Sequence, residues 1–351
     1  MSKLCPELWH AIATQLRDVR SFRLVCKGFA TIGGEYLVPR LHVTQSEHSF
    51  MRLLRIARDL VVCRSVRQIT YDCTLLSRHL VRFEDWISQI QQEADFSGFP
   101  YKHDIEQAHI TYIQKLRDQH KFSYTPQLFL LAMQRFPKLA SISFSGNGFA
   151  SELGFPSSAE HICGQQALSA FSKALEHLSK IRTTHRLALT KLQLNLQWSC
   201  IEKSLLGTSS QIWRCITDID ICLEVLEPTP PFQNCLVLKR FTQELTNLQR
   251  LSLEYSNDWD LEEYLPIQEI LSTTFRWPNL RILKFSGLEF SVCEFSSLLE
   301  CNSGIKFFTI SDCRLATGTL EVLLHRIGGW LQRASFAETA EVIDELEFIK
   351  S

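Results

Sequence analysis

Hydrophobic residues along the chain fall into a short recurring theme, apolar-x-x-apolar-x-apolar. Its clearest copies are Leu248-x-x-Leu251-x-Leu253, Leu280-x-x-Leu283-x-Phe285 and Ile305-x-x-Phe308-x-Ile310. Weaker copies are Val66-x-x-Ile69-x-Tyr71, Leu139-x-x-Ile142-x-Phe144, Leu189-x-x-Leu192-x-Leu194 and Ile216-x-x-Ile219-x-Ile221. The alternation at the last two positions of each copy is that of a strand with one buried face. From Leu192 onward the central residues are 27, 32, 32 and 25 apart, roughly the period of leucine-rich repeats. Cys313 and Leu315 after the last copy fit the turn position of such a repeat. Between the strands, apolar residues move to helical spacing at Ala167 to Ile181, at Leu238, Phe241 and Leu245, from Tyr264 to Phe275, and from Phe295 to Leu299. Strand and helix alternating at this period predict an α/β fold, an irregular parallel-stranded solenoid. An ordinary compact α/β domain alternates strand and helix too, but without the repeated theme.

The interval from Ile69 to Ile142 is too long for one repeat. Residues 79–122 read as an inserted helical pair, with Phe83, Trp86, Ile87 and Ile90 on one stripe and Ile105, Ala108, Tyr112 and Leu116 on the other; Gly98-Phe99-Pro100 is the turn. The pair either adds to a binding face or shields a flank, and the sequence leaves both readings open. Residues 329–351, with the acidic amphipathic stretch Phe336 to Ile349, read as a cap over the last repeat.

The first 45 residues follow a different pattern. Pro6 suits the first turn of a helix, where a missing N–H costs nothing. Glu7 beside it complements the helix dipole. Leu8, Ile12 and Leu16 then recur every fourth residue, flanked by Trp9 and Ala13. Asp18 to Ser21 interrupts the pattern, and Phe22, Val25 or Cys26, Phe29 and Ile32 predict a second helix ended by Gly33-Gly34. Tyr36 to Val43 leads into the main body. Two short helices carry more apolar positions here than they can hide between themselves.

Those residues carry a resemblance. Leu4-Cys5-Pro6-Glu7-Leu8, then Ile12 and Leu16, then Leu24-Val25-Cys26-Lys27-Gly28-Phe29 resemble an F-box, which usually begins Leu-Pro-x-Glu-Leu and later reads Leu-Val-Cys-Lys/Arg-x-Phe. Cys5 stands where proline is common, and the link from Leu16 to Leu24 is about two residues short. The region behind resembles the degenerate leucine-rich repeats common after F-boxes. The resemblance implies an F-box at 1–45 and a leucine-rich-repeat-like region at 46–351. It implies that Leu4, Pro6, Leu8, Ile12, Leu16, Leu24, Val25, Cys26 and Phe29 form or support a surface for the Skp adaptor and, through it, a cullin. The function implied is a non-catalytic substrate-recognition subunit of an SCF-type ubiquitin ligase, its repeat region holding a protein target. The alternative is an F-box scaffold acting outside ubiquitin ligation. The plain reading of the same helices is a cap on the domain that follows.

Composition narrows the partners. Net charge is −1 over 351 residues, which points to neither nucleic acid nor a membrane surface. Residues 1–82 nevertheless hold thirteen Lys/Arg against six Asp/Glu. Arg52, Arg55 and Arg58 lie three apart on a predicted helix whose other face carries Leu53, Ile56 and Leu60. They form either a steering surface for an acidic partner or a solvated face. No apolar run reaches membrane-spanning length, and Glu7 and Arg17 interrupt any signal-peptide core. The twelve cysteines contain no C-x-x-C pair and no Asn-x-Ser/Thr site occurs, so the expected location is cytoplasmic and/or nuclear with reduced thiols.

No catalytic, metal or cofactor motif emerges. The metalloprotease, nucleophile-elbow and phosphate-loop patterns are all missing from the sequence. Gly146-Asn147-Gly148 lacks a third glycine at dinucleotide spacing. His161 and Cys163 lack a second ligand pair. Asp218 and Asp220 alternate with Ile219 and Ile221 and so face outward from a strand. One cluster is a candidate target-binding surface: Tyr255, Trp259 and Tyr264 among Asp258, Asp260, Glu262 and Glu263. Its plainer reading is a capping box, Asp260 with Glu263, at a helix start.

Overall fold

The computed structural model describes residues 6–16, 24–72, 74–76, 78–92, 102–121, 134–145, 160–162, 189–197, 213–225, 232–257, 264–319 and 321–323, with the single positions 19, 21, 325 and 326. It is a mixed α/β protein whose main strands are parallel. The chain divides into two compact units at Leu189/Thr190, inside the region read as repeats.

In the first unit, helices α1 (Pro6–Gln15) and α2 (Lys27–Gly34) precede strand β1 (Arg40–Thr44) and helix α3 (Glu47–Arg58). Strand β2 (Gln68–Asp72), the short β3 (Thr74–Leu76), helices α4 (Phe83–Gln92) and α5 (Lys102–Lys121), β4 (Ser141–Ser145) and β5 (Glu160–Ile162) follow. β1, β2 and β4 run parallel, and their register stacks Leu41, Ile69 and Ile142 in one column and Val43, Tyr71 and Phe144 in the next. β3 and β5 pair antiparallel.

β1 is a correction to the sequence reading. Val38-x-x-Leu41-x-Val43 is a further copy of the repeated theme, not a mere lead-in, and it closes the ladder beside β2. α3 packs on β1 through Phe50, Leu53, Leu54 and Ala57, with the Phe50 ring 6.0 Å from that of Tyr71. Leu60, expected on the buried face, lies past the end of α3 and is exposed. The inserted pair is present as α4 and α5. They share a core of Leu76, Leu80, Trp86, Ile105, Tyr112 and Leu116, with Phe83, Ile87, Ala108 and Ile113 packed against it. The turn at Gly98 lies outside the described residues.

In the second unit, β6 (Lys191–Gln197), β7 (Asp218–Val225), helix α6 (Phe232–Glu244), β8 (Arg250–Asn257), β9 (Leu265–Pro266), helix α7 (Ile267–Ile270), β10 (Ile282–Ser286), β11 (Leu288–Phe290), helix α8 (Val292–Cys301), β12 (Phe307–Ser311) and β13 (Arg314–Leu315) follow in order. Parallel pairing stacks Leu192, Ile219, Leu251, Leu283 and Phe308 in one column and Leu194, Ile221, Leu253, Phe285 and Ile310 in the next. The two inward positions of every copy thus fall on the same two rows.

The first apolar position of each copy plays a different part. Ile216, Leu248, Leu280 and Ile305 are buried, and each donates its N–H to the carbonyl three residues earlier, that of Trp213, Leu245, Trp277 or Asn302, at 3.0–3.2 Å. That turn brings the chain from the preceding segment into the strand. The carbonyls of Thr190, Thr217, Gln249 and Arg281 then each accept two N–H groups from the next copy. A second set of short parallel bridges links β9, β11 and β13.

α8 starts with a capping box between Ser291 and Glu294. The predicted helix from Tyr264 to Phe275 is reduced to the four residues of α7. Its start is taken by β9, where Leu265 pairs with Leu288 and Pro266 stays extended. Gly287 takes φ +69°, and a Cβ there would collide with the Tyr255 carbonyl, so only glycine fits where β10 passes into β11. The 167–181 helix, Gly146-Asn147-Gly148 and the 329–351 cap lie outside the described residues.

Burial holds the Cys235 and Cys313 thiols neutral, pushing each pKa up from 9.0 to about 11. A folded-state value above the unfolded one stabilises the fold fully below pH 9, and that contribution disappears as the pH rises towards 11. Thiol labelling at neutral pH is therefore expected to modify exposed Cys26, Cys215 and Cys293 before Cys235 and Cys313, which react only when denaturant opens the second unit. Peptide mapping after timed alkylation checks the order.

Candidate docking surface

α1 opens on Pro6, as proline's fixed φ favours. Two apolar stripes then run along it a residue apart. One is Trp9 and Ala13: Ala13 is fully buried, and the Trp9 ring lies 4.4 Å from that of Phe29 on α2. The other is Leu8 and Ile12, continued by Leu16 just past the last turn. These are 48%, 38% and 36% exposed. A 3.6-residue turn separates neighbouring positions by about 100°, so a helix that buries one of these stripes against α2 turns the other to water.

α2 begins later than its sequence pattern predicts. Cys26 is its N-cap, the sulfur accepting the Phe29 N–H at 3.5 Å. Leu24 and Val25 fall in the link before the helix, 87% and 56% exposed. The Leu24 N–H bonds back to the Ser21 carbonyl, and the Leu24 and Val25 side chains face outward. Gly33 and Gly34 lie inside the helix rather than after it. A Cβ on Gly34 would meet Val61 Cγ1, so this glycine lets the helix end lie against the turn formed by Val62–Ser65. Glu35 secures the same end, taking Lys138 at 2.9 Å and Arg64 at 3.9 Å.

The nine residues expected on the adaptor surface therefore divide. Leu8, Ile12, Leu16, Leu24 and Val25 face water. Phe29 faces inward and packs against Trp9. Cys26 is exposed but serves as a cap. Pro6 starts α1, and Leu4 lies outside the described residues. Eleven large hydrophobic residues are exposed among the described residues, and five of them are these. Such concentration within 18 positions differs from the singly scattered apolar exposure of ordinary surfaces.

Of the Tyr255, Trp259 and Tyr264 cluster, the two tyrosines are among the described residues. Tyr255 is half-buried on β8, and Trp259 and the Asp260 capping box lie outside the described residues. The Tyr264 ring is half-buried, with the Arg314 guanidinium 5.2 Å from its centroid. That guanidinium also pairs with Glu289 at 2.8 Å. Tyr264 therefore has an internal cation–π partner, which fits a structural role better than a contact role. Arg52, Arg55 and Arg58 are exposed along α3 and make no ion pair among the described residues. No helix among the described residues is long and apolar enough to cross a membrane.

No family model and no curated protein matches the chain.

Proposed function

We propose that this protein is a non-catalytic substrate receptor of a cullin-type ubiquitin ligase. In this reading α1, the 24–25 link and α2 form an F-box that docks on the Skp adaptor, and the parallel ladders are turns of an irregular leucine-rich-repeat-like solenoid that holds a protein target. The observation that carries it is the outward stripe of Leu8, Ile12 and Leu16 with Leu24 and Val25 beside it in sequence. A chain that left these residues to water would bear an apolar patch with no counterpart, whereas an adaptor that covers them gains their burial. Trp9, Ala13, Phe29 and the Gly34–Val61 contact hold that patch on a fixed base. Catalysis then rests on proximity alone. Tethering adaptor and target to one chain raises their effective concentration, and ubiquitin transfer proceeds from a neighbouring enzyme without any reacting residue here.

The test is co-expression with a Skp adaptor followed by size-exclusion chromatography. The expected result is a one-to-one complex that also recruits a cullin, with more soluble chain than when it is expressed alone. Capture of adaptor without cullin supports the scaffold reading. Failure to bind the adaptor removes both readings.

A further inference from the structure

We propose that the exposed face of α3 is a docking site for an acidic polypeptide segment whose carboxylates flank an apolar side chain. Between Arg40 and Arg82 the chain carries eight arginines, three carboxylic acids and no lysine. Three of those arginines, Arg52, Arg55 and Arg58, lie on α3 and are exposed. Met51, 44% exposed, precedes Arg55 by four residues and Arg58 by seven, so the three share one stripe. Arg52 lies beside it, one turn before Arg55. The other face of the helix, Phe50, Leu53, Leu54 and Ala57, is buried on β1, which fixes the way this stripe points.

Among the described residues no carboxylate pairs with these three charges. Glu47 precedes Arg52 by five residues, outside the three- and four-residue reach of helical neighbours. Asp59 follows Arg55 by four but is turned into the next segment, its Oδ1 accepting the Val61 and Val62 N–H groups at 2.9 Å each. Arg52 with Arg55, and Arg55 with Arg58, are therefore like-charged neighbours that repel. The helix dipole favours a positive charge at Arg55 and Arg58 in the last turn and a negative one at Glu47 in the first. It gives no reason for Arg52 in the middle, nor for Met51 held in water beside the charges. A partner that brings carboxylates removes the repulsion and covers the thioether.

The composition of the face selects that partner. A guanidinium fork takes a carboxylate through two parallel N–H bonds where a lysine offers a point charge, and every permanent cation here is an arginine. A membrane surface is a poor occupant, because the apolar side of α3 that would enter lipid is already buried on β1. A nucleic acid is poor as well: three cations neutralise few phosphates, and Met51 would face a charged backbone. An acidic peptide with a leucine or methionine between its carboxylates meets both kinds of side chain. This face is remote in sequence from α1, and the proposal does not rest on adaptor docking.

The test is fluorescence anisotropy of the full chain with a labelled, blocked peptide of repeating Glu-Glu-Leu units. Saturable binding that weakens as salt is added is expected, with none to the same peptide carrying glutamine for glutamate. Arg52→Gln, Arg55→Gln and Arg58→Gln together are expected to weaken binding about tenfold or more, since they remove charge-assisted hydrogen bonds. The corresponding lysine triple is expected to weaken it several-fold, as the forks are lost. Met51→Ser is expected to weaken it several-fold too, a change that charge attraction alone would not produce. All four positions are exposed, and an unchanged circular dichroism spectrum checks the fold of each variant. Absence of binding, tighter binding to a single-stranded oligonucleotide or to phosphatidylserine vesicles, or indifference to any of these three variants overturns the proposal.

Discussion

Replacing Leu8 and Ile12 together by aspartate is expected to abolish capture of the Skp adaptor while the remaining chain stays folded. Both side chains are already part-exposed, so docking buries only their remaining surface, worth about 1 kcal/mol each at half of a full Leu or Ile burial. The larger effect comes from the carboxylates. An unpaired charge buried in an interface costs several kcal/mol, so the pair loses at least about 4 kcal/mol, or about a thousandfold in affinity. The chain's own stability changes little, because neither side chain is core and exposed substitutions usually cost within about 0.5 kcal/mol, with helix propensity adding a few tenths for Ile12→Asp. Pull-down with purified adaptor, alongside thermal melts of the free variant, separates the outcomes. A variant that still retains the adaptor removes the docking assignment. One that binds nothing because it has unfolded shows instead that the stripe belongs to the chain's own core.

Asn302→Ala is expected to destabilise the second unit by about 3–4 kcal/mol, among the larger losses a single residue produces. Asn302 is buried and ends α8. Its Oδ1 accepts the Trp277 N–H at 2.7 Å, and its Nδ2 donates to the carbonyls of Phe275 at 3.1 Å and Leu298 at 2.9 Å. Its backbone carbonyl accepts the Ile305 N–H that starts the last copy of the theme. One side chain therefore joins two successive turns of the ladder. Alanine leaves the buried Trp277 N–H without an acceptor, which costs about 1–3 kcal/mol by itself. Asn302→Asp keeps that acceptor but sets a carboxylate against the two carbonyls, so it is expected to be no better at neutral pH. Hydrogen exchange across 275–310 reads the effect locally. A loss below about 1 kcal/mol from alanine would show that the turns hold without this residue.

Much of the ladder was legible in the residues. Leu251 with Leu253, or Ile142 with Phe144, is a local alternation, and a strand that buries one face admits few others. The α4–α5 stripes were equally readable, because helical spacing repeats over three or more turns and Trp86, Ile105, Tyr112 and Leu116 keep to it. Shorter signals were lost. Val38-x-x-Leu41-x-Val43 lies against the front helices and looks like their tail until β2 pairs with it. The Tyr264–Phe275 pattern looked helical because its spacing ignores the pairing of Leu265 with Leu288, a contact 23 residues away.

The amino-acid sequence by itself determined that the front of the chain is two amphipathic helices and that the rest repeats a half-buried strand. Only the tertiary structure decided which of the two neighbouring stripes of α1 meets water. Leu8 and Ile12 are as apolar as Trp9 and Ala13, so the choice rests on the place of Phe29, which depends on where Cys26 caps α2 and how closely Gly34 lets it approach Val61.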